Sequence, residues 1–527
     1  MKLLLFALLL AMVPHLQAEP SIAEITAAYA KRTVVIYNNT LPKSKQLAEY
    51  YAKQRSIPKE NLVGLKCSEA ETISRAEFNS SINEPLRNTF TERSWWKLET
   101  RPEGKMCTQV VHRIFAIMQG VPMRIDEQPE YGPEDPKTKK KTVIPPGAGA
   151  SNAASVDSEL SVFGLVDHGL KGAMNNPFYD KTVPFLSQPL APFFLVGRID
   201  GPTYEDAQRL IDDAVAVEKT GLFGKTYIDL ALKNEGGYKE GEEWLLASAK
   251  TLGNSGFPLI IDARPDRFPE NYPMRDCAIY LGWYTIPPDG PFLNPNFKFK
   301  KGAIACHLHS FSATTVRRTT EGWVGLLLSQ GACGVFGNVY EPYLTLTIHF
   351  DKLTDRLLRG FTLAEASSMA TPGASWMTVM LGDPLYRPFA ADLDLGTSDP
   401  EYRSIRRAMR DNPPMPGGNK DLFSRLEKEA QSQKSGTIYE TLAQIAQGSM
   451  PGDVPRITKY FKAASENYTQ AEDKIRIILA RVDYFVSTNQ KDAAISLLKS
   501  ELGNFAKIPE AKSMEVRLAE LQPKPKK

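Results

Sequence analysis

The chain has 527 residues, a formal net charge of +3, and 42% hydrophobic residues. A charge so near balance argues against a nucleic-acid or anionic-surface binder built on bulk basicity, while the apolar content is enough for a sizeable core. At the usual ~100–200 residues per domain, the length fits one large domain with something smaller attached.

Residues 1–18 read as a secretory signal peptide. Met1-Lys2 gives a positive start, 3–13 an apolar stretch too short to span a bilayer, and Ala18 a small residue at the cut. No later segment reaches transmembrane length, so the mature chain is expected outside the cytoplasm, in the periplasm or beyond. The pattern then alternates. Residues 33–37 form a β-branched apolar run, 44–55 carry Leu47, Ala48 and Tyr51 at helical spacing, and 62–65 are another short strand. Ser74 with Glu77 opens a further helix, and 110–118 are a strong strand ended by Gly120-Val121-Pro122. Strand and helix in alternation predict a mostly parallel sheet flanked by helices.

Residues 126–155, with prolines and the lysine run at 137–141, read as a long exposed loop; the run lacks interleaved aromatics and gives no support to nucleic-acid binding. Strands are predicted at 192–196, 226–232, 258–262 and 277–284, with helices at 204–219 and 240–252. Thr203 with Asp206, and Thr362 with Glu365, have helix-capping spacing. Residues 399–418, ending in a proline/glycine run, read as a linker, and 419–527 as an all-α module. Its helix pair at 475–485 and 492–502 is similar to a tetratricopeptide-type hairpin.

The stretch 302–343, GAIACHLHSFSATTVRRTTEGWVGLLLSQGACGVFGNVYEPY, reads as strand, polar loop, helix, strand, polar loop. In open α/β sheets ligands bind at the carboxyl ends of strands, so His307, His309, Ser310, Tyr340 and Glu341 are candidates for one crevice, with Trp283 beside them. The five cysteines, Cys67, Cys107, Cys277, Cys306 and Cys333, have no metal spacing, and their odd number leaves at least one unpaired. Cys306 and Cys333 fall within predicted strands as small buried hydrophobes. No phosphate-binding loop, dinucleotide glycine fingerprint or GxSxG elbow appears, and no cofactor is implied.

Several segments resemble the gingipain-type peptidases of the caspase–haemoglobinase fold. They are TVVIYNNTLPKSKQLAEYYAKQ, LVGRIDGPTYEDAQRLIDDAVAVEK, FTLAEASSMATP and MLGDPLYRPF, spread over 33–389. SVDSEL, YLGWY, HLHSFSA and GNVYEPYLTLT further resemble an exported bacterial family associated with species that carry exosortase-type sorting systems. The resemblance implies a gingipain/caspase-like α/β domain over 19–398. Gingipain-type enzymes use a histidine in a His-Gly pair after one strand and a cysteine after the next. Here Trp283 and Tyr284 stand at the first place and Ser310, or His309 one residue earlier, at the second; Cys306 comes about four residues too early. The implied function is an exported peptidase-like protein that binds a peptide, protein or glycan of the cell envelope in the strand-end crevice, without the usual catalytic pair. Trp283, Tyr284, Tyr340 and Tyr343 offer flat faces for such a ligand.

The alternative is an active peptidase-type hydrolase. Ser310 would be the nucleophile, His309 or His307 the base, and Asp157, Asp262 or Glu341 the orienting acid. Neighbours on an extended strand point to opposite faces, which places His309 poorly for Ser310. His307 and His309 would share a face, and with Glu341 or Asp157 they would be a weak metal set, against the plainer reading of satisfied polar residues at a strand end.

Overall fold

A computed structural model describes residues 21–522 except 135, 137, 145–149, 169–170, 265–266 and 391–398. The expected signal peptide and the last five residues lie outside the described residues. Ten strands form the central sheet: β1 (Thr33–Asn38), β2 (Leu62–Leu65), β3 (Ile114–Met118), β4 (Leu195–Ile199), β5 (Lys225–Asp229), β6 (Leu259–Asp262), β7 (Cys277–Trp283), β8 (Ile304–Leu308), β9 (Gly334–Asn338) and β10 (Thr378–Leu381). Their order is β6-β5-β7-β8-β9-β10-β4-β3-β1-β2. Six of them, β1, β3, β5, β7, β8 and β9, are buried along almost their whole length, as runs covered on both faces must be.

All neighbours pair in parallel except β9 and β10, which run antiparallel with Val335 opposite Leu381 and Asn338 opposite Thr378. The sheet is therefore two parallel halves joined head to tail. The carboxyl ends of β5, β7, β8 and β9 lie on one edge, and those of β1, β3 and β4 on the other. Helices flank both faces. Pro42–Arg55 (α1), Tyr204–Val217 (α2), Lys239–Asn254 (α3) and Leu363–Ala370 (α4) cover apolar side chains of the sheet, while Trp323–Ser329 packs between β8 and β9 from the opposite side. Two of the predicted capping boxes are complete, at Thr203 with Asp206 and at Thr362 with Glu365. The expected loop at 126–155 carries an antiparallel hairpin, Glu130–Glu134 with Lys141–Ile144. Among the described residues, no helix is long and apolar enough to cross a membrane.

Helices from Lys420 to Leu521 follow, preceded by Pro400–Asp411 inside the expected linker. Ile405, Ala408 and Met409 of that helix are buried in the same cluster as Tyr280 and Trp323, and Arg406 donates to the Leu222 carbonyl at 2.8 Å. The array caps the start of the β6 edge of the sheet. The Gln444 side chain accepts the Leu259 amide at 2.8 Å, and Asp473 lies 3.6 Å from Lys225 Nζ and 3.4 Å from Arg275. A paired edge amide is no longer a template for another strand.

The junction between the halves holds Arg198 of β4, which has no exposed surface. Its guanidinium meets Asp157 at 3.0 and 2.7 Å and donates to the carbonyls of Val121 and Pro122 at 2.8 and 2.9 Å. Removing one member of a buried pair strands the other charge, so Arg198→Ala should cost about 3–5 kcal/mol in chemical denaturation. An undiminished unfolding free energy would show that the pair does not support the junction.

Candidate functional site

In β8 the alternation IACHL sends Ala305 and His307 to one face and Ile304, Cys306 and Leu308 to the other. His307 lies opposite Gly282, and the missing side chain there leaves room for the Tyr280 hydroxyl, which would sit 2.5 Å from a Cβ at Gly282. The hydroxyl reaches His307 Nδ1 at 2.8 Å and Asp229 Oδ2 at 3.3 Å. His307 Nε2 accepts the Thr285 amide at 3.1 Å, so the ring proton is on Nδ1 and is donated to Tyr280. The ring also stacks on Trp323 at 3.7 Å. Burial, with the nearby Arg267 charge, holds His307 well below the ordinary histidine range, and burial beside Asp262 holds Asp229 well above the carboxylate range. This neutral chain has no histidine nitrogen left for a metal or a substrate. Its visible effect is to fix the backbone at Thr285.

That backbone belongs to an aromatic rim. Tyr284, Phe311 and Tyr343 follow β7, β8 and β9, have φ of 81°, 60° and 59°, and are 37%, 42% and 43% exposed. A non-glycine residue in the left-handed region costs roughly 1–3 kcal/mol, and such strain concentrates at ligand clamps. Strand ends hold it in place here. The Tyr284 amide donates to the Leu308 carbonyl at 3.1 Å, and the Phe311 amide to the Tyr340 carbonyl at 3.0 Å. Tyr284 donates its hydroxyl to Tyr238 at 2.8 Å, and its ring lies 5.6 Å from His309. The bond to Tyr238 and then burial push the Tyr284 hydroxyl up to about 12, with the Glu341 charge adding to the effect. Glu341 is exposed in the loop after β9.

The sequence-predicted residues are only partly gathered. Ser310 is half-buried in the turn after β8, and its hydroxyl has no partner among the described residues. His309 Nδ1 is 2.5 Å from the Ser310 carbonyl, and no hydrogen bond joins the ring to the Ser310 hydroxyl. Tyr340 is half-buried, with its hydroxyl on Asp126 at 2.9 Å and its ring beneath Arg124. Trp283 lies beneath the rim, its ring 5.5 Å from that of Tyr284 and 6.3 Å from that of Tyr238. It points to the opposite face, pressed on Gly241 of α3, with its indole on Glu242 at 3.2 Å. Asp157 is committed to Arg198, and Asp262 to Arg264 at 2.7 Å. Sequence reasoning missed Phe311, Tyr238 and Lys233. Phe311 was readable as the aromatic inside HSFSA; the other two reach the crevice by folding alone.

The cysteines take no part. All five are buried and free, and Cys306 donates to the Phe336 carbonyl at 3.4 Å with its thiol pushed up by burial. A nucleophilic thiolate needs the opposite environment.

No protein-family profile and no curated protein matches the sequence. Among solved structures, the complex of the pro- and mature domains of RgpB from Porphyromonas gingivalis is 10% identical, over 68% of this chain and 79% of that one, with a TM-score of 0.38. A second structure, described as a protease, is 10% identical over 69% and 79% of the two chains, with a TM-score of 0.34.

Alkylating reagents should leave all five thiols unmodified in the native protein. Rapid labelling of Cys306 would restore thiol chemistry to the crevice. Burial also holds His112 and His349 down to about 4. Unfolded histidines titrate near ~6.5, so the unfolded chain takes up protons that the fold refuses, and these rings subtract stability as pH falls through about 6.5. Urea unfolding at about pH 7 and about pH 5 should show a smaller loss in His307→Gln than in the parent. Equal slopes would mean that His307 is charged in the fold.

Proposed function

We propose that this is an exported, peptidase-related protein that binds a peptide of the cell envelope across the carboxyl ends of β7, β8 and β9 without cleaving it. The observation that carries the reading is the rim of three exposed aromatic side chains, each on a left-handed backbone, following three adjacent parallel strands. The three residues keep 37%, 42% and 43% of their surface exposed, so packing alone does not account for the strained backbone. It is explained when the rings must stand at set positions for a ligand.

The segment resemblance to gingipain-type peptidases supports a peptide over a glycan as occupant. The reading as a binder follows from the chemistry available. The thiols are buried and protonated, His307 is neutral and fully bonded, and the His309 ring is turned to a carbonyl instead of the Ser310 hydroxyl. A serine without a base in hydrogen-bond reach is a poor nucleophile.

Phe311→Gly and Tyr343→Gly test the reading, because glycine relieves the left-handed strain while it removes the ring. Each should leave the melting temperature unchanged or raised. Each should also lower retention of a random hexapeptide pool on the immobilised full chain by about tenfold, as loss of an aromatic anchor does. Unchanged retention would overturn the crevice assignment. Peptide products that disappear in Ser310→Ala would overturn the non-catalytic part.

A further inference from the structure

The crevice has a cation that the described structure does not neutralise. Lys233, half-buried after β5, places its ammonium 4.2 Å from the Tyr284 ring centre and 5.2 Å from that of Tyr238. It makes no ion pair or side-chain hydrogen bond with a described residue. Arg264 and Arg267, near this end of the sheet, are paired, with Asp262 at 2.7 Å and Asp289 at 3.0 Å. Glu242, buried under the same loop, accepts the Lys233 backbone amide at 2.8 Å and the Trp283 indole at 3.2 Å. It therefore fixes where the lysine emerges, while its ammonium stays on the aromatic faces.

One further donor stands with the ammonium on these rings. Because Tyr284 gives its hydroxyl proton to Tyr238, the 44% exposed Tyr238 keeps its own proton for another acceptor. An ammonium and a phenol hydroxyl side by side on an aromatic floor match the two oxygens of a carboxylate, and a desolvated cation strengthens such a contact.

Resting on the peptide-binding reading above, we propose that Lys233 and Tyr238, supported by Tyr284, form the subsite for a carboxylate of the bound peptide. The carboxylate comes either from the chain terminus or from an acidic side chain.

Three hexapeptide pools separate the cases on the immobilised full chain: free-acid peptides without Asp or Glu, the same peptides amidated, and amidated peptides containing Asp and Glu. A pool bearing carboxylates should be retained about tenfold better than the amidated acid-free pool, the scale of one charge-assisted contact. Preference for the first pool assigns the terminus, and preference for the third assigns side chains. Lys233→Met, which keeps an apolar stem on the rings, should abolish the preference without changing retention of the amidated acid-free pool, and Lys233→Arg should restore it. Equal retention of all three pools, or a preference that survives Lys233→Met, overturns the subsite and leaves the crevice reading in place. Retention of none overturns both.

Discussion

The Arg198 guanidinium is the contact on which the arrangement of the two half-sheets depends. It sits at the junction with no exposed surface and binds Asp157, the carbonyls of Val121 and Pro122, and Asp200 at 3.5 Å. Asp200 in turn holds Arg317, with one contact at 3.1 Å, and Arg317 also donates to the Gly201 carbonyl at 2.7 Å. Arg317 lies in the loop that follows β8, the same loop that carries His309, Ser310 and Phe311. One chain of charges therefore ties the crevice to the first half of the sheet. Its net worth is small if every member is apolar, but it is large once all but one are present, because the last charge is then buried alone.

The antiparallel junction also decides where a ligand can sit. Had all ten strands run one way, the loops after β3 and β4 would have crowded the loops after β7, β8 and β9. With the halves opposed, segments of the first half still meet the loop after β8. Glu71 accepts the Val316 amide at 2.8 Å, and Arg124 lies 4.8 Å over Tyr340 and donates to the Thr314 carbonyl at 2.6 Å. Strain at the rim and rigidity behind it belong together. The Asp229–Tyr280–His307 chain fixes Thr285, and so leaves Tyr284 little freedom to relax to an ordinary backbone conformation.

Much of the fold was legible in local pattern. Doubly buried strands such as β8 and β9 show as short unbroken apolar runs, and Thr203 and Thr362 announce their helices through capping chemistry. The direction of β10 was not legible, because parallel and antiparallel neighbours bury the same residues. Trp283 shows the same gap at the site. Side chains alternate along a strand, so the face it takes depends on a register set by distant partners, and that register puts Gly282, not Trp283, opposite His307. The helix at Pro400–Asp411 was hidden by its arginines, whose stems cover apolar surface while their charges suggest a solvated linker. Asp157 looked free for catalysis because its partner Arg198 is 41 residues away in the chain.

The helical array backs the crevice from below. Its apolar residues share one core with Tyr280, Ala305 and Trp323, the residues immediately under the crevice. It also caps the start of β6, the edge strand of the half that carries the site, through Gln444. A strained rim needs neighbours that cannot yield, since a backbone in the left-handed region relaxes wherever the surrounding packing lets it. Seen this way, the C-terminal helices act less as an appended module than as the backing that keeps Tyr284, Phe311 and Tyr343 in place. Their own buried Arg476, bonded to Glu440 and to Asp473 at 3.0 Å, is to the array what Arg198 is to the junction. Asp473 also meets Lys225 at the amino end of β5, so the charge network of the helices begins at the strand whose other end leads to Lys233.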